Sequence, residues 1–155
     1  MRTMKGFTLI EVLLVLGILA VMVSLATINL ANVQHKSSLS STVNTFIADF
    51  RQQQIRAMVG DTQGSGAVSN YGVDLETTTY TLFRTTYGTG NFIVNLPTGT
   101  QFTTTFPNSQ VIFASGSGIL STFTSGQNTI TITDTVDGSQ KTITVNTYGV
   151  ITAVN

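Results

Sequence analysis

A predominantly apolar run from Phe7 to Ala31 is the feature that most limits what this chain can fold into. It contains no proline and one glycine, which favours a helix, and at 1.5 Å per residue this helix is long enough to cross about 30 Å of hydrocarbon. One charged residue, Glu11, lies inside the run. Because a carboxylate in a membrane helix costs roughly 2.5–3.5 kcal/mol on insertion scales, Glu11 needs a partner and marks a functional site.

The pattern becomes amphipathic after this run. Apolar residues recur at steps of three and four, which predicts a helical face that packs on a sheet. No proline or glycine occurs in residues 18–59, so we expect one continuous helix over 7–59 that ends at Gly60. The residues of the predicted packing face are Leu39, Val43, Phe46, Ile47 and Phe50.

Residues 60–70 are rich in Gly, Ser, Asp and Asn, which indicates a loop, and beyond them the period changes to two. The clearest hairpin places Thr129–Thr135 and Lys141–Asn146 on either side of Asp137-Gly138, and we interpret its acidic residues as turn-forming rather than calcium-binding. These patterns predict an α+β fold, with a long N-terminal helix packed on an antiparallel β-sheet. Strands are expected near 71–76, 79–85, 91–95, 100–105, 110–114, 119–123, 128–135, 140–146 and 149–154.

The composition argues against several classes of function. The seven basic and seven acidic residues make up only 9% of the chain. No cluster of Lys or Arg that could bind phosphate is evident, which argues against a nucleic-acid-binding protein. The absence of cysteine excludes disulfides, thiolate zinc sites and cysteine nucleophiles, and the single histidine, His35, provides no zinc ligand cluster. We therefore expect a protein that is not an enzyme and that uses no cofactor or metal ion.

Three interpretations of the N-terminus compete. A secretory signal peptide would be cut near Ser24-Leu25-Ala26, but Glu11 would then lie in the middle of its apolar core. A plain membrane anchor leaves Glu11 without a role. The third interpretation uses the basic leader Met1–Gly6 together with the residues that follow it.

The sequence Lys5-Gly6-Phe7-Thr8-Leu9-Ile10-Glu11 resembles the class III leader of type IV pilins and of the pseudopilins of type II secretion systems. The resemblance implies that a prepilin peptidase cleaves between Gly6 and Phe7 and that the new Phe7 amine is methylated. It also implies a cleaved leader (1–6), a helix (7–59) whose first part (7–31) crosses the inner membrane and forms the filament core, and a β-rich domain (60–155) outside the cytoplasm. The partners would be other pilin-like subunits, the peptidase and the assembly platform.

Cleavage would give Glu11 a partner. The new amine at Phe7 lies one helical turn before Glu11, where the helix dipole also favours a carboxylate. The amine of one subunit would neutralise Glu11 of its neighbour inside a helical bundle that excludes water. Glu11 is therefore predicted to control the addition and the register of subunits.

The sequence does not decide whether the subunit forms the shaft of its filament or is a minor component. The chain lacks the late helical proline and the cysteine pair of many major pilins. Its segment Phe50–Ala57 and its glycine-bearing final strand, Asn146–Ile151, resemble H-type minor pseudopilins and FimT-like minor pilins. A major shaft pilin and a DNA-binding minor pilin of a competence filament are the alternatives to a structural subunit of a pilus or pseudopilus.

Position 6 provides a test of the cleavage prediction. We expect Gly6→Ala to be processed better than a bulky replacement such as Gly6→Leu, because a small residue is needed before the cut. The ratio of precursor to mature chain on an immunoblot measures this, and efficient processing of Gly6→Leu would count against a prepilin peptidase.

Overall fold

The computed structural model describes the backbone of Gly6 and of residues 8–64, 66–85 and 91–155, and the side chains of these residues except 25–36. Within them it contains one α-helix followed by antiparallel strands, which is the predicted α+β class. A 3-10 turn covers Pro107–Ser109. The elements are α1 (Leu9–Val59), β1 (Tyr71–Leu75), β2 (Thr79–Arg84), β3 (Phe92–Asn95), β4 (Thr100–Thr104), β5 (Gln110–Phe113), β6 (Thr129–Asp134), β7 (Gln140–Val145) and β8 (Ile151–Val154).

The helix α1 is continuous over 51 residues and extends about 75 Å. It ends where Gly60 adopts a left-handed conformation (φ 64°, ψ 39°), which glycine enters without the penalty that a side chain imposes. The amide of Gly60 donates to the carbonyl of Ala57, and the amide of Asp61 donates to the carbonyl of Arg56. The predicted role of Gly60 as the helix-terminating residue is confirmed.

The second half of α1 packs on the strands through one face. Its buried positions alternate between steps of four and three, which keeps them on one side of the helix. The predicted face is confirmed, with Ile47 partly buried at its margin, and it continues further toward the end of the helix than predicted. The buried residues are Leu39, Val43, Phe46, Phe50, Gln53 and Ala57.

The strands form two four-stranded sheets, which confirms the predicted antiparallel β domain and adds a division that the sequence did not indicate. The first sheet has the order β3-β2-β1-β5 and the second the order β4-β6-β7-β8, with antiparallel pairing throughout. The chain changes sheets at the 3-10 turn between β4 and β5, where Asn108 and Ser109 both take positive φ angles (54° and 57°). This reversal sends β5 back to β1, and α1 contacts strands of both sheets.

The prediction of a strand at 119–123 is wrong, because the structure has no regular strand there. The reason is local. Leu120 makes one isolated bridge with Phe113. The hydroxyl and the amide of Ser121 both donate to the carbonyl of Ile112, and the hydroxyl of Thr122 accepts from the amide of Ile112. Side-chain hydroxyls thus take positions that a regular strand would give to backbone groups.

The predicted hairpin at Asp137-Gly138 is confirmed by β6 and β7. Ile130 faces Ile143 across the pair, and Gly138 has a φ of 72°. The carboxylate of Asp134 accepts from the amide of Val136 (2.8 Å), and that of Asp137 accepts from the amide of Ser139 (2.8 Å). These carboxylates therefore shape the turn, and in the described part of the chain no three His, Cys, Asp or Glu residues group as metal ligands.

Aromatic side chains join the helix to both sheets. The ring of Phe46 lies 5.3 Å from that of Tyr80 and 5.0 Å from that of Phe102, and the ring of Phe50 lies 5.0 Å from that of Phe113. The hydroxyl of Tyr80 donates to the carboxylate of Asp49 on α1. Burial, together with this hydrogen bond, raises the pKa of Tyr80 well above its ordinary value, so the hydroxyl keeps its proton.

The buried ring of Phe50 should contribute strongly to the stability of the β-rich part. We expect Phe50→Ala to lower the free energy of unfolding by about 3–5 kcal/mol, because it empties a fully buried site. Ile55→Ala is the matched control on the same helix, since Ile55 is 57% exposed, and should change it by less than about 1 kcal/mol. Denaturant unfolding of the full chain in detergent measures both, and equal losses would contradict this packing.

Candidate assembly site at the start of the helix

The first turn of α1 is built by Thr8. This residue is extended (φ −79°, ψ 151°), and its hydroxyl accepts from the amide of Glu11 at 3.4 Å. Its carbonyl accepts from the amides of Glu11 (3.1 Å) and Val12 (3.3 Å). The spacing Thr8-x-x-Glu11 is that of a capping box, and it places the carboxylate where the helix dipole favours negative charge.

The carboxylate of Glu11 lies at the surface of an apolar helix. It has no hydrogen bond or ion pair within the described residues, and it shares one side of α1 with Val12, Val15 and Leu16. Every residue from 8 to 24 is exposed. An apolar surface of this extent marks a contact with other molecules.

The predicted membrane span stays a prediction. Among the described residues, no helix is long and apolar enough to meet the requirement for crossing a membrane. The predicted span of 7–31 includes Phe7 and the side chains of 25–31, which lie outside the described residues.

The predicted site residues can be placed in part. Gly6 is exposed, and a Cβ built on it would meet no atom within 4 Å, so a small side chain fits there. Glu11 lies in the first turn of α1. Phe7, the predicted methylation site, lies outside the described residues, as does the side chain of His35.

Comparison with known families identifies this end of the chain. Residues 1–27 match the family model described as the prokaryotic N-terminal methylation motif. This motif is the class III prepilin leader of type IV pilins and pseudopilins, so the chain carries the leader of a prepilin-processed, type IV pilin-like protein. In general the leader implies a membrane-anchored precursor, processing by a prepilin peptidase and assembly with other pilin subunits. No match was found among the curated proteins or among the solved structures.

The sequence did not predict a pair of hydrogen bonds that joins the other end of α1 to two loops, here called the clamp. The side-chain amide of Gln54 donates to the carbonyls of Gly118 (3.1 Å) and Tyr148 (2.8 Å). Gly149 has a φ of 75°, and a Cβ there would lie 2.5 Å from the amide nitrogen of Gln54 and 3.1 Å from the carbonyl oxygen of Gly118, so this position favours glycine. The clamp joins two loops to α1, and no spacing in the sequence indicates which loops Gln54 meets.

Proposed function

We propose that this chain is a structural subunit of a type IV pilus or of a type II secretion pseudopilus, with a mechanical rather than a catalytic role. The observation that carries the proposal is that the methylation motif at residues 1–27 runs directly into one continuous helix of 51 residues. On this proposal a prepilin peptidase cleaves between Gly6 and Phe7, and the Phe7 amine is then methylated. The exposure and the open surroundings of Gly6 support access of a peptidase to this bond.

Glu11 and the amine of Phe7 are proposed to form the contact that orders the subunits. In a bundle of apolar helices neither charge is hydrated, so each needs the other. The exposed carboxylate of Glu11, with no partner in the described residues of its own chain, is available to a neighbouring subunit. Breaking such a pair leaves an uncompensated charge, which costs about 3–5 kcal/mol.

The apolar half of the helix is proposed to cross the inner membrane before assembly, as a single pass over 7–31. The basic residues Arg2 and Lys5 favour a leader on the cytoplasmic side, because positively charged flanks remain there. The β-rich part would then lie outside the cytoplasm. Extraction from the membrane would exchange contacts with lipid for contacts with the helices of other subunits.

The buried face from Leu39 to Ala57 is proposed to carry the β-rich part on the outside of the helical bundle. Phe46 and Phe50 of this face contact aromatic rings of both sheets, which fixes the strands to the helix. A subunit of this design transmits axial force through α1.

Replacement of Glu11 tests the proposal. We expect Glu11→Leu to reach the membrane fraction at the normal level but to lower the filament fraction by more than about tenfold, because the neighbouring amine stays unpaired. Val15→Leu is the control, since Val15 lies on the same side of α1 and is also exposed. Immunoblots of membranes and of sheared filaments from the native host measure both.

Normal incorporation of Glu11→Leu into filaments would contradict the proposed pairing. Equal losses for Glu11→Leu and Val15→Leu would also contradict it, because the defect would then follow from the shape of the apolar surface and not from the charge.

A further inference from the structure

An exposed apolar surface lies where the last turns of α1 meet the two loops that Gln54 bonds. Each of its members is at least 41% exposed, and Tyr148 is 65% exposed. Exposed apolar residues that lie together mark a contact with another molecule. The surface, here called the distal surface, consists of Ile55, Met58, Ile119, Tyr148 and Val150.

Contacts between α1 and the loops join these residues into one surface. A Cβ on Gly118 would overlap the side chain of Met58, so the loop that carries Ile119 lies directly on the helix. The clamp from Gln54 brings the loop of Tyr148 beside it, because one side-chain amide donates to both loops. The distal surface is therefore held in one shape by the helix and both loops.

Arg51 gives the margin of the distal surface a positive charge. It lies four residues before Ile55, so the two side chains are neighbours on the helix. Arg51 is exposed, and its guanidinium has no hydrogen bond or ion pair within the described residues. Residues 51–59 contain two arginines and no acidic residue, and the two loops carry no charge. Asp49, two residues before Arg51, does not offset it, because its carboxylate accepts from the hydroxyl of Tyr80 on the strand side of the helix.

The tip of the β6–β7 hairpin has the complementary chemistry. Val136 is 64% exposed there, and Asp137 beside it is exposed as well. The hairpin contains two acidic residues and one basic residue, so its net charge is negative. The amide and the hydroxyl of Thr135 both donate to the carbonyl of Gly99 (2.7 and 3.0 Å), which fixes the tip. A tip of fixed shape loses little conformational entropy when it binds.

The tip and the distal surface lie at opposite ends of the same hairpin. Tyr148 follows the last residue of β7, Val145, whereas Val136 lies in the turn before β7 begins at Gln140. The two therefore cannot meet within one chain, but two copies that point in the same direction bring them together. Repeated contacts between two different surfaces of identical subunits build rings or open helical filaments.

We propose that the tip of one subunit docks on the distal surface of a second copy of this chain. Val136 would contact Ile55 and Tyr148 of the second copy. The carboxylate of Asp137 would pair with Arg51, since a carboxylate accepts several hydrogen bonds and its bonds within the turn leave room for a cation. This docking rests on the proposed function, because a filament holds its subunits in one direction. It adds a contact between β-rich parts to the contact at Glu11.

Paired cysteines test the docking in filaments of the full chain from the native host. The chain has no cysteine of its own, so a short bismaleimide links only the introduced thiols. We expect the chain with both Val136→Cys and Ile55→Cys to give a ladder of multimers larger than the dimer on a denaturing gel. Each single variant should stay monomeric, because the tip and the distal surface are different surfaces. Val136→Cys with Phe92→Cys is the matched control, since Phe92 is equally exposed but lies on β3.

Charge exchange tests the pairing of Arg51. We expect Arg51→Glu to lower the filament fraction by about fivefold, because it places two carboxylates together. Adding Asp137→Lys to the same chain should restore the fraction, because the two charges are then exchanged. Gln52→Glu adds a negative charge at the next position, which is turned toward the first sheet, and should change the fraction less than about twofold. Immunoblots of membranes and of sheared filaments measure all of these.

Several outcomes would overturn the docking. These are filaments of the paired-cysteine chain that give no ladder, an equal ladder from the Phe92→Cys control, dimers from Val136→Cys alone, and cross-linking to a protein other than this chain. Equal losses for Arg51→Glu and Gln52→Glu would do the same. If Ile55→Cys blocks assembly, Tyr148→Cys takes its place with the same expectations. An absence of filaments from the wild-type chain would instead contradict the proposed function, and it is observed without any cross-linker.

Discussion

The cost of leaving a charge unpaired in an apolar environment is the constraint on which this account of the chain depends. Glu11 lies in the first turn of a helix whose exposed residues 9–24 are otherwise almost entirely apolar. Its position is compatible with the helix, because the dipole and the cap at Thr8 both favour it. Its surroundings favour pairing, and on the proposed function the partner arises only when cleavage creates an amine at Phe7.

The two halves of α1 share one continuous backbone but differ in their surroundings. Residues 9–24 near its start are exposed and mostly apolar, which suits contact with lipid or with other helices. The second half buries Phe46 and Phe50 against both sheets and is clamped to two loops by Gln54. Because no break separates the halves, the contact proposed at Glu11 would also set where the strands of that subunit lie relative to the neighbouring subunit.

Local patterns in the sequence were sufficient to predict most of the secondary-structure elements. They were insufficient to predict how the strands are arranged in sheets. The helix end at Gly60 and the hairpin at Gly138 follow from backbone conformations that glycine adopts readily, and both were predicted. The division into two sheets depends on pairings between strands distant in sequence, such as β1 with β5 and β4 with β6, which local patterns do not encode. The strand predicted at 119–123 failed because hydroxyl groups replaced backbone partners. Gln53 could have been noticed as a polar residue in register with the apolar face, but its burial depends on strands distant in sequence.

A density map of the assembled filament tests the central claim most directly. If the two groups pair as proposed, the Phe7 nitrogen of one subunit lies within about 4 Å of the Glu11 carboxylate of a neighbouring subunit, which is the distance of an ion pair. A map in which Glu11 faces away from every Phe7 amine, or in which the chain still begins before Phe7, would contradict it.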